Sequence, residues 1–133
     1  MKFNQEKFNE ALTEFYERVK KDELLGPIFM KYVSNWESHL KKIRIFWESH
    51  LLSPGLYKGN PLLIHQKLHE KEKLTEKMFV RWLELFEFTM KEYIGDDAGK
   101  AVVKARIIGG TLFGRILDSP DLEVPGFPPF GEI

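Results

Sequence analysis

The sequence predicts an all-α fold, a single domain of about four long helices with shorter ones between them. Apolar residues recur at three- and four-residue intervals in four separate stretches, which is the period of a helix with one buried face. Capping residues open those stretches, and Gly or Pro closes most of them. No segment alternates apolar and polar residues over a useful strand length, and there is no internal repeat, so nothing competes with helix. At 133 residues the chain is long enough for one core and too short for two ordinary domains.

Phe8, Leu12, Phe15, Tyr16 and Val19 share one helical face, with Asn4 as the expected N-cap and Asp22 to Pro27 ending the element. Leu24-Leu25-Gly26-Pro27-Ile28-Phe29 reads as a turn into a short helical piece, with Phe29 at a corner. Ser34 is the expected cap of the next helix, whose stripe is Trp36, Leu40, Ile43, Trp47 and Leu51 and whose stop is Ser53-Pro54-Gly55. His39 lies on the edge of that stripe. A loop follows to Asn60, and Pro61 suits the first position of a short helix carrying His65 and His69.

Thr75 caps a third long helix with Phe79, Trp82, Leu83, Phe86, Met90 and Tyr93 on its buried side, ended near Gly95. Asp96 or Asp97 caps the last helix, where Val102, Ala105, Ile108, Leu112 and Ile116 form a stripe of smaller residues; Gly109-Gly110 should weaken it or permit close packing. Beyond Asp118 the chain changes character, because Pro120, Pro125, Pro128 and Pro129 are four of its seven prolines. The expected organisation is therefore a helical domain over residues 1–118 and an extended Pro-rich tail over 119–133.

Acidic and basic residues balance at 20 each, so no global field draws in nucleic acid or an anionic membrane, and neither partner is expected. The absence of cysteine excludes a disulfide scaffold, thiolate metal sites and the covalent attachment of a c-type haem. Met1-Lys2-Phe3-Asn4-Gln5-Glu6-Lys7 turns charged at once and no apolar run is long enough to span a membrane, so the expected location is the cytoplasm. Aromatic residues make up 14% of the chain, enough for a core of large flat side chains among which another flat group could pack.

Several chemistries fail on spacing. Gly95-Asp96-Asp97-Ala98-Gly99-Lys100 is one residue short of a phosphate loop, and Ala101 stands where that motif needs Ser or Thr. His69-Glu70 opens like a zinc-protease helix, but the residue four after His69 is Lys73. A di-iron bundle needs Glu three residues before His, whereas Trp36, Trp47, Leu62 and Gln66 precede His39, His50, His65 and His69. His65 and His69, four apart, could chelate one metal ion together, or one could be a ligand and the other a surface residue; spacing leaves these readings open. His50, near a helix end, reads as a solvated residue or a charge partner of the helix C-terminus. His39, Tyr16 and Trp82 taken singly read as core.

Six segments in order carry a resemblance: Phe15-Tyr16-Glu17-Arg18-Val19, Leu25-Gly26-Pro27-Ile28-Phe29, Trp36-Glu37-Ser38-His39-Leu40, Phe46-Trp47, Tyr57-Lys58-Gly59-Asn60-Pro61 and Arg81-Trp82-Leu83-Glu84-Leu85-Phe86. Together they resemble the group III truncated haemoglobins of bacteria, over about residues 8–116. The resemblance implies a globin-like two-over-two helical sandwich holding noncovalent haem b. It makes His65, four residues after Pro61, the proximal iron ligand, Tyr16 and His39 the distal tyrosine and histidine, and Trp82 the distal-pocket tryptophan. It also sets Phe29 and Ile43 against the haem.

A haem iron held by one imidazole is five-coordinate and leaves a position for dioxygen or another small ligand, such as nitric oxide or peroxide. Tyr16 and Trp82 as donors favour oxygen, nitric oxide or peroxide chemistry, of a nitric oxide dioxygenase-like or peroxidase-like kind and served by a reductase, over bulk oxygen transport. His39 suits either a gate or an approach to the iron itself. The rival readings are a cofactor-free helical interaction domain and a nonhaem metal site at His65 and His69.

Overall fold

The computed structural model describes residues 4–52, 55 and 57–117. Among them the fold is all-α, with six α-helices: α1 (Gln5–Lys21), α2 (Gly26–Tyr32), α3 (Trp36–Leu51), α4 (Pro61–Lys71), α5 (Glu76–Ile94) and α6 (Ala98–Leu117), the last two joined by a 3-10 turn at Gly95–Asp97. The expected tail, residues 119–133, lies outside the described residues. No described helix is long and apolar enough to cross a membrane.

Side-chain caps start the helices. Asn4 accepts the Lys7 N–H at 3.1 Å and Asn60 the Leu63 N–H at 3.0 Å, each satisfying a first-turn donor, while Thr75 takes the Met78 N–H with both its hydroxyl at 3.3 Å and its carbonyl at 3.1 Å. The cap of α3 is Asn35, which accepts the Ser38 N–H at 3.0 Å, rather than Ser34. The helix begins one residue later than the serine suggested, and the extended backbone of Asn35 aims its amide oxygen at that N–H. Asp96 and Asp97 belong to the 3-10 turn, with Gly95 entering it at φ 56°, a backbone state glycine adopts without steric cost. Helix α6 runs unbroken through Gly109-Gly110.

Helix α1 packs on α5, α2 and α3, α5 packs on α6, and α3 and α4 each pack on α6. The pair α1/α3 thus lies over the pair α5/α6, the two-over-two arrangement expected. Gly26 lets α2 turn tightly off α1, since a Cβ there would come within 2.6 Å of the Lys20 carbonyl oxygen. The core is centred on Phe86, fully buried, whose ring is stacked between Trp82 (5.2 Å, 9°) and Trp47 (5.1 Å, 20°) and meets Phe15 edge-on at 5.3 Å. Phe8 reaches the far side of Trp47 at 5.8 Å. Tyr93, expected on the buried side of α5, is exposed, whereas Met90 one turn earlier is fully buried.

Polar clasps fix α1 against α5. Arg18 donates to the fully buried Thr89 hydroxyl at 3.0 Å and pairs with Glu92. Arg81 Nε meets Asp22 Oδ1 at 2.7 Å, while Asp22 Oδ2 accepts the N–H groups of Leu24 and Leu25. Burial opposes ionisation of Asp22, but the Leu25 N–H, Arg81 and the Leu24 N–H outweigh it and hold the carboxyl below its ordinary value. A folded-state pKa below the unfolded one contributes stability that is full above the ordinary carboxylate range and is lost as pH falls through the depressed value. Asp22→Ala is therefore expected to cost about 1–3 kcal/mol near neutral pH, the usual effect of stranding buried donors. The gap between variant and wild type in urea melts should close below the ordinary carboxylate range; a gap unchanged by acid would refute the account.

Candidate functional site

Four rings converge where α1, α2 and α3 meet. The Tyr16 ring stands perpendicular to the His39 imidazole at 5.6 Å and lies 6.0 Å from Phe29 and 6.2 Å from Trp36. His39 is 5.3 Å from Trp36 and 6.5 Å from Phe29. Trp82 joins from α5 through Phe15, which packs edge-on against it at 5.3 Å and against Tyr16 at 4.7 Å. Sequence reasoning had named Tyr16, Phe29, His39 and Trp82 for this region, and the fold brings them together. It missed Trp36 as a member, although its place three residues before His39 on the same stripe was the available signal.

Burial pushes the Tyr16 phenol well above its ordinary range, against a smaller opposing effect of hydrogen bonding from Trp82. Tyr16 is therefore neutral at physiological pH and keeps its O–H as a donor, while the Trp82 indole, a donor only, acts on the phenolic oxygen. Burial also lowers the pKa of His39, helped by Lys42 and by His65, so His39 is neutral at pH 7. Among the described residues α3 and α4 do not approach closely, so the region between them, here called the slot, is not closed by helix packing, and the His65 ring acts electrostatically on His39. Two nitrogens in the ring cluster, His39 Nε2 and Trp36 Nε1, are buried with no hydrogen-bond partner among the described residues. Ile43, one turn beyond His39, packs half-buried at the core edge.

His65 and His69, indistinguishable by spacing, are held in opposite tautomers. His65 Nδ1 lies 2.6 Å from the Pro61 carbonyl oxygen; a carbonyl only accepts, so Nδ1 carries the proton and the Nε2 lone pair is bare. His69 Nδ1 accepts the Leu74 N–H at 2.9 Å, so its proton sits on Nε2 and no lone pair remains for a metal. Burial lowers the pKa of His65 despite the opposing Pro61 contact, which keeps the ring neutral. A pair with opposite tautomers is not a chelating pair, and among the described residues no third His, Cys, Asp or Glu completes a metal cluster.

His50 and the cations of α3 stand apart from the ring cluster, except that Lys42 acts on His39. His50 is not a solvated charge: it is half-buried against Phe46 at 4.5 Å, and burial, with Lys104, lowers its pKa to about 4. Lys41 and Lys42 are exposed, and Arg44 turns to the Thr13 hydroxyl at 2.9 Å.

Clustered aromatic rings, a neutral imidazole with a free nitrogen on α4, and a neutral phenol and imidazole on α1 and α3 are groups that suit a flat ligand carrying a metal at its centre. The sequence matches the bacterial-like globins over residues 4–107. The chain is a bacterial-like globin. Within that family it is similar to Group 3 truncated hemoglobin ctb of Campylobacter jejuni, 34% identical over 111 residues that cover 78% of this chain and 85% of that one. A crystal structure of the group III truncated hemoglobin from Campylobacter jejuni superposes with a TM-score of 0.79 at 31% identity, covering 88% of this chain and 94% of the other. The truncated haemoglobin resemblance is thereby established, and with it a haem-binding globin whose family binds diatomic ligands such as oxygen. The donor set of this chain fits the group: His65 offers a neutral nitrogen, and the partnerless nitrogens of His39 and Trp36 belong to the ring cluster around Tyr16.

The tautomers give a direct test. Long-range proton–nitrogen correlation spectra of the diamagnetic, carbon monoxide-bound protein should show His69 protonated at Nε2 and His65 at Nδ1. His69→Ala should lower stability by about 1 kcal/mol through loss of the bond to the Leu74 N–H and leave haem affinity intact. Haem loss in that variant would contradict the assignment.

Proposed function

We propose that this globin holds haem b noncovalently, with His65 Nε2 as the proximal iron ligand and Tyr16, His39 and Trp82 on the distal side. We further propose that it serves oxygen, nitric oxide or peroxide chemistry in the cytoplasm, supplied with electrons by a reductase, in preference to bulk oxygen transport. The observation that carries the reading is the 2.6 Å contact of His65 Nδ1 with the Pro61 carbonyl. It fixes the tautomer and orients the ring, as the outer partner of a metal-bound histidine does, and makes the other nitrogen more basic.

A haem iron bound by one neutral imidazole supplies an open position for dioxygen, nitric oxide or peroxide. The protein's part is to position donors. Tyr16, kept protonated by burial, donates its O–H to a ligand in the slot, and donation from Trp82 to the phenolic oxygen strengthens that donor through a short chain of hydrogen bonds. The phenol is held by Phe15, Phe29, Trp36 and His39, so little reorganisation is needed when a partially negative ligand arrives. Phe29 and Ile43 contribute apolar wall, which excludes water and strengthens the polar contacts within. Donors arranged this way slow ligand release, a poor property for a carrier and a useful one for chemistry on the ligand.

The reduced wild-type protein should give the spectrum of an imidazole-bound ferrous haem. His65→Gly should lose that signature and regain it on addition of free imidazole. Tyr16→Phe should speed oxygen dissociation by about ten- to a hundredfold, the effect of a hydrogen bond to a charged acceptor, and Trp82→Phe by less. Fast release in the wild type, unaltered by Tyr16→Phe, would sink the distal assignment, and retention of the signature in His65→Gly would sink the proximal one.

A further inference from the structure

His39 has no hydrogen-bond partner at Nε2 among the described residues, so its ring is held there by packing against other rings. The nearest of these is Trp36, at 5.3 Å and nearly perpendicular, three residues earlier on the same helix. Such edge-to-face pairs set an orientation as well as an energy. Trp36 is half-exposed at the first position of α3, where a helix frays most readily, and it needs restraints of its own. Beside the tilted Tyr16 ring at 6.2 Å, Phe29 stacks on it at 6.3 Å and 27°, and the Lys20 ammonium sits over its face at 4.3 Å. Lys20 is in turn tied to Glu17 at 2.9 Å.

A line of contacts thus runs from the surface of α1, Glu17 to Lys20 to Trp36, and ends on His39. We propose that Trp36, clamped by Lys20, is the positioning residue that sets how long His39 stays inside the slot, and so how readily a small ligand enters. This rests on the reading of His39 as a distal residue. The indole N–H has no partner among the described residues, so Trp36 acts through its ring faces rather than by hydrogen bonding. A phenyl ring should therefore replace most of its function. The cation over the indole face is the surface end of the device, because it holds the ring without entering the cavity.

The test is carbon monoxide association with the reduced haem protein after flash photolysis, read together with the infrared C–O stretching bands, which report the surroundings of the bound ligand. Trp36→Ala should raise the association rate by about two- to tenfold, as expected for loss of one aromatic pair, and shift population toward the band seen in His39→Leu. Lys20→Met, which keeps most of the stem and removes the charge, should change both readouts in the same direction by less. Trp36→Phe should restore values near wild type. The deciding arm is the pair: in a His39→Leu background, Trp36→Ala and Lys20→Met should change nothing further.

If His39→Leu alters rate and bands while Trp36→Ala and Lys20→Met leave them at wild-type values, Trp36 is not the positioning residue and the distal reading stands. Equal effects of Trp36→Ala with and without His39 would mean that it acts by opening space, and the proposal fails. If His39→Leu itself moves neither readout, the distal reading fails and the proposal with it. Should Trp36→Ala not fold, Lys20→Met in the two backgrounds carries the same decision, since it leaves the ring in place.

Discussion

The Phe86 ring, held between two indoles, is the constraint on which the rest of this globin depends. Trp82 belongs to its own helix α5, Trp47 comes from α3 and Phe15 from α1, so one stack and one edge contact bind three helices at a single point. Because aromatic pairs fix ring planes as well as distances, the stack sets the rotation of α1, α3 and α5 about their axes. That rotation decides which residues leave the core and face the slot. Tyr16 follows Phe15, and Trp82 precedes Phe86 by one turn, so both rings are placed by the stack.

The same packing explains why the slot exists. Helix α3 is bound to the core through Trp47 near its C-terminal end, and Lys100 caps that end by donating to the Leu51 carbonyl at 3.0 Å. Helix α4 packs on α6 and, among the described residues, does not approach α3. The two helices are anchored on the same partner but not on each other, and on α3 the nitrogens of His39 and Trp36 are buried without a partner among the described residues. Burying a polar group without a partner costs free energy, a cost that the haem-bound state of the proposed function offsets by offering these groups a ligand.

Electrostatics at the slot works by keeping groups neutral. Burial raises the pKa of Tyr16 and lowers those of His39 and His65, and in each case the uncharged form is the one the proposed function uses: a proton to donate or a lone pair to offer. The Arg18, Arg81 and Arg106 clasps join helices, and the cation that does act on the site, Lys42, works in the same direction as burial at His39.

Much of this was legible in the sequence, because it rests on local rules. Helical periodicity and caps are properties of neighbouring residues, and they located the four long helices, Pro61 at the start of α4 and Thr75 at the start of α5. The exception, Asn35 in place of Ser34, is a shift of one residue between two good capping types. Six short segments in order were enough to indicate the globin family and to nominate Tyr16, Phe29, His39, Ile43, His65 and Trp82.

What the sequence could not decide was the state of each ring, since that depends on groups brought near only by folding. His65 and His69 are the same residue one turn apart. One donates Nδ1–H to the carbonyl of Pro61 within its helix, while the other accepts an N–H from Leu74 beyond the helix end. His50 read as a surface charge until α3 laid it against Phe46 with Lys104 nearby. Trp36 read as one more stripe residue until Lys20 and Phe29, from two other helices, closed on its faces. Periodicity along a chain assigns a residue to a face; its protonation state and freedom to move are set by what the opposite face presents, and only the tertiary structure supplies that.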